Sequence, residues 1–201
     1  MLFASQLQDF KNRLPWNAKR REQQAIRTII EQKRRIYDAA KVSADSQTIV
    51  EKIEQLTIFR TAKTILLYYP IRNEVDLRAL LDKYKDSKTL LLPFIRRRSI
   101  EIRQYIGEDN LRQGYAHIPE PQTAAFVGNI DLIIVPGVVF DYKCHRIGRG
   151  GGYYDRFLAK HKEAYKLGVA YDFQLKHHDL PQTHHDQPLN AVITPLETIV
   201  L

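Results

Sequence analysis

The stretch NIDLIIVPGVVFDYKCHRIGRGGGYYDRFLAK, residues 129–160, carries the fold in its order: an apolar run, a turn, a knot of glycines, then a helical pattern. NIDLIIVPGVVF (129–140) holds the most apolar strand of the chain, closed by Pro136-Gly137. Four of the nine glycines (Gly148, Gly150, Gly151, Gly152) then fall within five positions, and a helix is expected over about 153–163. Strand, glycine-rich loop, helix is an arrangement that binds phosphate. Glycines let backbone N–H groups turn inward, and the helix N-terminus adds about half a positive charge. Arg146 and Arg149 supply full charges beside the loop. Asp155, in the first helical turn, can hold a divalent metal against the same phosphates, since magnesium takes only one or two protein carboxylates. The common phosphate motifs do not match. No Lys-Ser or Lys-Thr follows the glycines as in a Walker loop, and Tyr153 stands where a dinucleotide fingerprint needs its third glycine.

Outward from this loop the pattern alternates. YKLGVAY (165–171), AVIT and TIVL read as strands after it, the last two joined by a turn at Pro195. Before it, TILLYYP (64–70) and KTLLLP (88–93) read as buried strands and IEIRQYI (100–106) as a half-exposed one. NEVDLRALLDKY between them reads as a helix with Asn73 and Asp76 in capping-box-like positions. Two amphipathic helices lead: 17–38, capped by Asn17 with Ile26, Ile29, Ile30 and Tyr37 on one face, and 44–57, capped by Ser43. Short buried strands separated by helices predict an α/β fold with a central, mostly parallel sheet flanked by helices. No Gly/Ser/Pro linker divides the leading helices (about 17–57) from the rest, so 1–201 is expected to form one domain.

The composition narrows the class. No apolar run approaches ~18 residues, and the start, MLFASQLQDFKNRLPW, has no signal-peptide pattern. Cys144 is the only cysteine, which suits a reducing compartment and a cytoplasmic location. The net charge of +8 suits polyanionic partners. Basic runs lie at 19–21, 33–35 and 96–98, yet no recognition-helix, RNP or zinc pattern accompanies them, so no nucleic acid is expected. His177, His178, His184 and His185 fit no standard zinc spacing.

VPGVVFDYKCHRIGRGGGYYDRFL, residues 135–158, resembles the signature of the 5-formyltetrahydrofolate cyclo-ligases, roughly P-G-x-x-F-D-x-x-G-x-R-L-G-x-G-x-G-Y-Y-D. Pro136, Gly137, Phe140, Asp141, Arg146, Gly148, Gly150, Gly152, Tyr153, Tyr154 and Asp155 stand in register. YYPIRNEVDL, AHIPEP (116–121) and LPQTHHDQPLNAVIT extend the likeness over about residues 20–195. The resemblance implies a fold of the sugar-phosphate isomerase and CoA-transferase type. It implies a reaction in which 5-formyltetrahydrofolate and ATP give 5,10-methenyltetrahydrofolate, ADP and phosphate, with magnesium. It assigns ATP to Gln23, Arg27 and the loop Arg146, Ile147, Gly148, Arg149, Gly150, Gly151, Gly152, Tyr153 and Tyr154. Arg146, Tyr153 and Asp155 are the catalytic candidates, and Asp155 and Asp186 would hold the metal. Tyr69, Glu74, His117 and Gly150 to Gly152 would touch the folate, Glu74 at the pterin. The expected partners are ATP and the folate, with or without a polyglutamate tail, which Arg96-Arg97-Arg98 would meet. A monomer or weak dimer with no membrane attachment is expected.

This chain departs from the family pattern at three places. Gln23 stands for the lysine of K-x-x-L-R, unless a gap brings Lys19 or Arg20 into that role; Cys144 replaces a glycine, predicting a different turn; and Ile147 replaces leucine. An isomerase or CoA-transferase activity would rest on fold analogy alone, and no catalytic glutamate in a recognisable setting supports it.

Overall fold

Alternation along each strand decides which side of the main sheet a residue covers. The computed structural model describes residues 16–201. In β1 (Thr64–Leu66), β2 (Thr89–Arg96) and β6 (Leu132–Val135), the residues Ile65, Leu90, Leu92, Leu132 and Ile134 enter one core. Their alternates Leu66, Leu91, Ile133 and Val135 enter another on the opposite face. Strands apolar on both faces are those of a parallel sheet covered on both sides.

The main sheet has seven strands. β6 pairs in parallel with β1 and with β9 (Tyr165–Val169); β1 continues to β2, and β9 to β11 (Ala191–Ile193), also in parallel. Antiparallel strands close both edges: β3 (Ser99–Gln104) beside β2 and β12 (Thr198–Val200) beside β11. The central, mostly parallel sheet flanked by helices is therefore as the sequence predicts. β2 and β3 form a hairpin through Arg97 and Arg98, both at positive φ (44° and 68°), a pairing the sequence does not announce.

Five helices are described. α2 (Ala39–Gln55), α3 (Thr57–Thr61) and α4 (Arg78–Tyr84) supply Ile49, Ile53, Phe59, Leu80 and Leu81 to the first core. α5 (Tyr153–Leu158) supplies Phe157 and Leu158 to the second. α1 (Trp16–Arg35) packs elsewhere: Ile30 meets Val138, Val139, Ile147 and Leu180 in a third cluster. Ile29, expected on the buried face, is 55% exposed.

Several boundaries differ from expectation for identifiable reasons. The strand within 129–140 closes at Pro136-Gly137 as expected, but a further strand follows it at once. β6 stops before Pro136, which has no N–H to donate, and β7 (Val139–Asp141) joins a second sheet between β10 (Leu175–Lys176) and β8 (Arg146–Ile147). α2 starts earlier than Ser43, because the Asp38 side chain accepts the Lys41 amide at 3.0 Å. α1 already includes Asn17, whose side chain lies outside the described residues, as does the stretch before Trp16. Asn73 is not a cap: it sits at φ 56° and donates to the Arg34 carbonyl, while Asp76 accepts the Arg78 amide at 3.0 Å. Cys144 keeps a left-handed turn (φ 56°), so the turn that glycine would make is retained rather than altered.

Candidate functional site

A cleft of about 910 Å³ opens beyond the carboxyl ends of β1, β2 and β6, where open parallel sheets place their ligand sites. The three strands deliver Tyr68 and Tyr69, Pro93 and Ile95, and Pro136 and Gly137 to its wall. β8 leads directly into the glycine loop, which forms one side.

Within the loop, Gly150 (φ 95°) and Gly152 (φ 64°) take conformations that L side chains resist. The amides of Arg149, Gly150, Gly151 and Gly152 donate to nothing among the described residues. They remain available to a ligand's oxygens. Arg27 braces the loop from α1, its Nε donating to the Gly148 carbonyl at 2.7 Å and its Nη2 to Gln23 Oε1 at 3.1 Å. Burial lowers the Arg27 pKa from its usual value, against the pull of Glu31. α5 has only six residues, fewer than predicted, so the arginines outweigh its dipole.

Arg146 is 5% exposed. Its Nη2 donates to Asp155 Oδ1 at 2.7 Å and its Nη1 to the Pro136 carbonyl at 3.4 Å, while Nε has no partner among the described residues. The Tyr154 ring lies 5.7 Å from its guanidinium, and burial pushes the Tyr154 hydroxyl well above its usual pKa. Asp141 holds the preceding turn. Its carboxylate accepts the amides of Lys143, His145 and Leu180 at 2.9 Å each and faces the His145 ring at 3.0 Å.

Across the cleft, Glu74 accepts the Ile71 amide at 3.1 Å and pairs with Arg149 at 2.8 Å and more loosely with Arg34 at 3.8 Å. Burial lowers the Arg34 pKa and Glu74 opposes that shift. Tyr69 turns its hydroxyl to Glu108 at 3.1–3.2 Å. Gln23, 6% exposed, donates to the Pro181 carbonyl at 2.8 Å and to Asp186 at 3.4 Å; Asp186 also accepts the Thr183 amide at 2.7 Å.

The residues assigned to ATP, folate and metal therefore converge on one cleft, except His117; Arg96, Arg97 and Arg98, expected at a polyglutamate tail, are not in its lining either. His117 sits in a strained turn (φ 62°) with Nδ1 2.6 Å from Gln113 Nε2, and its neighbours Ala116 and Ile118 line the cleft instead. Arg20, which the sequence offers as an alternative to Gln23, does line it, and so does Glu120 of the AHIPEP segment, to which the sequence reading gives no role. Helical spacing carries the signal for Arg20, one turn before Gln23; nothing in the local sequence marks Glu120. Among the described residues no group of three or more His, Cys, Asp or Glu side chains could hold a metal alone. Asp155 and Asp186 line the cleft with the glycine loop. Two carboxylates beside a phosphate cradle fit a magnesium ion, whose other ligands are phosphate oxygens and water. His177 stacks on Tyr142 (4.8 Å), and the rings of His184 and His185 lie 3.7 Å apart. No described helix is long and apolar enough to cross a membrane.

The 5-formyltetrahydrofolate cyclo-ligase family matches residues 19–195. A relative from Haemophilus influenzae, named 5-formyltetrahydrofolate cyclo-ligase, is 30% identical over 187 residues, covering 88% of this chain and 98% of its own. The solution structure of the Aquifex aeolicus 5,10-methenyltetrahydrofolate synthetase superposes with a TM-score of 0.80 at 32% identity, over 89% of this chain and 92% of that one. A solved structure of a 5,10-methenyltetrahydrofolate synthetase from Mycoplasma pneumoniae gives 0.70 at 28% identity, over 87% of this chain and 99% of that one.

Proposed function

Because the chain belongs to the 5-formyltetrahydrofolate cyclo-ligase family, we propose that it closes 5-formyltetrahydrofolate to 5,10-methenyltetrahydrofolate, converting ATP to ADP and phosphate. One observation carries this reading: the glycine loop, with unpaired amides and flanking arginines, shares a single cleft with an apolar wall of Pro93, Ile95, Ile100 and Ile118. A phosphate cradle and a ring-binding wall in one cavity suit two co-substrates that must react with each other.

The chemistry explains the need for both. An amide oxygen is a poor leaving group, so N10 cannot simply condense with the N5 formyl carbon. Transfer of the γ-phosphoryl group to the formyl oxygen turns that oxygen into part of a phosphate. N10 then attacks the carbon and loses its proton, and phosphate departs with the original formyl oxygen. Phosphoryl transfer asks the protein for positioning and charge neutralisation rather than a nucleophile. The loop Arg146 to Tyr154 with Arg27 supplies both. Gln23 holds α1 against the 181–186 segment, and Arg20 provides the cation one turn away. Asp155 and Asp186 would hold magnesium, which neutralises phosphate charge when bound. Arg146 orients Asp155, and Tyr153 closes the mouth with Tyr115, their rings 6.1 Å apart. Tyr69 and Glu74 contact the folate.

We read the fold further as the sugar-phosphate isomerase and CoA-transferase type, in one domain, and the protein as a cytoplasmic monomer or weak dimer. The test is direct: mix the purified protein with 5-formyltetrahydrofolate, magnesium and ATP, and follow the near-ultraviolet absorbance of methenyltetrahydrofolate. An ATP-dependent rise is expected. No rise from folded protein would overturn the assignment.

A further inference from the structure

Glu120 is a buried acid with one side unfilled. It lies in β5 (Pro119–Pro121), which pairs with β4 (Leu111–Gln113), is 4% exposed, and lines the cleft. One carboxylate oxygen accepts the Ile95 amide at 3.0 Å. The other has no donor among the described residues and rests against the bare Cα of Gly114, where a Cβ would overlap it. Nearby cations are committed elsewhere: Arg103 to Glu101 and the Pro121 carbonyl, Arg112 to the carbonyls of Asp109 and Leu111.

A carboxylate oxygen without a protein donor, on a residue that lines a ligand cleft, is available to a ligand's N–H groups. A carboxylate matches two parallel N–H donors on a flat edge. The pterin ring of a folate has such an edge, made of its ring N3–H and its 2-amino group, in the pattern of a guanidinium.

We infer that Glu120 recognises the pterin, accepting from N3–H and the 2-amino group, while Ile95, Ile100 and Ile118 pack against the ring. This rests on the folate reading of the cleft and adds a contact to those of Tyr69 and Glu74. The Glu74 carboxylate also pairs with Arg149 of the glycine loop. The N5 and N10 side of the folate is opposite the edge that Glu120 takes, so it faces away from β5 into the rest of the cleft.

Calorimetric titration of the whole protein tests this without turnover, using 5-formyltetrahydrofolate and its 2-desamino analogue in the absence of ATP. The wild type should bind the analogue ~10- to 100-fold more weakly, the range for hydrogen bonds to a charged group. Glu120→Gln keeps an acceptor for the Ile95 amide. It should bind the parent weaker by a similar factor, lose most of the discrimination between the two ligands, and bind ATP as before. Gly114→Ala, which displaces the Glu120 carboxyl without removing it, should lose the same discrimination and serves if Glu120→Gln does not fold. Equal affinity of the wild type for both ligands, or full discrimination retained in both variants, overturns the role of Glu120 and leaves the folate reading standing. A wild type that binds neither ligand, with or without magnesium and ATP, overturns the folate reading itself.

Discussion

At position 23 the family resemblance expects lysine, and the structure shows what glutamine does there. Gln23 uses both ends of its amide, donating to Pro181 and Asp186 and accepting from Arg27. It is a latch, and on the proposed function the cation is Arg20 on the same helical face. Arg20→Ala should raise the KM for ATP about tenfold with little change in thermal midpoint. Gln23→Ala, which strips buried groups of their partners, should cost about 1–3 kcal/mol of stability; steady-state kinetics and calorimetric melting separate the two. Asp155→Asn keeps an acceptor for Arg146 but removes the charge, and turnover across a magnesium titration should fall at least ~100-fold. Cys144 is a case of conflict within one residue. Its backbone takes a glycine-like turn while its thiol is buried, and burial, aided by the Asp141 charge, raises the thiol from 9.0 to about 11. The folded state then keeps a proton that the unfolded state releases. Stability should therefore be lost as pH rises from about 9 through about 11. Buried tyrosines such as Tyr68 act in the same direction, so the thiol's share is the part of that slope missing from Cys144→Ala in urea titrations at each pH.

Among the elements, the β2–β3 hairpin shows where sequence reading stops. Asn-Gly or Asp-Gly would have announced a two-residue turn; Arg97-Arg98 carries no such signal, so the two strands are legible but their pairing is not. Both arginines occupy a region costly for side chains with a Cβ. The double change Arg97→Asn with Arg98→Gly should stabilise the protein by about 1–2 kcal/mol, which is roughly 2–8 °C in melting temperature for a chain of this size. Differential scanning calorimetry checks it, and a fall in midpoint would mean that the arginine side chains contribute more than their backbones cost. The second strand within 129–140, after the break at Pro136-Gly137, was equally hard to read. A strand leaving one sheet and a strand entering another are both apolar, and only Pro136 marks the change. By contrast β1, β2 and β6 were legible because burial on both faces leaves an unbroken apolar run.

For the molecule as a whole, the glycine loop and its arginines were readable because phosphate chemistry dictates residue types at close spacing. Glu120 was not, because its meaning comes from neighbours distant in the chain. The packing of α1 against the second sheet is of the same kind. Ile30 is 1% exposed beneath the loop, and Ile30→Ala should cost about 2–5 kcal/mol. On the proposed function its effect on binding should fall more on ATP than on the folate, since Ile30 packs against Ile147 at the foot of the loop; paired titrations of the two ligands would show it.

The brace also has a history in time. Arg27 reaches Gly148 across 121 positions, and Gln23 reaches Pro181 across 158. On a ribosome adding about 5–20 residues per second, each partner follows its helix residue by roughly 6–30 s. Through that interval the β2–β3 hairpin can form, but the nucleotide half of the cleft lacks its far wall. On the proposed function, a nascent chain, or one cut short before Pro181, should be silent toward ATP rather than partly active, and should spend no nucleotide before the folate half has been built.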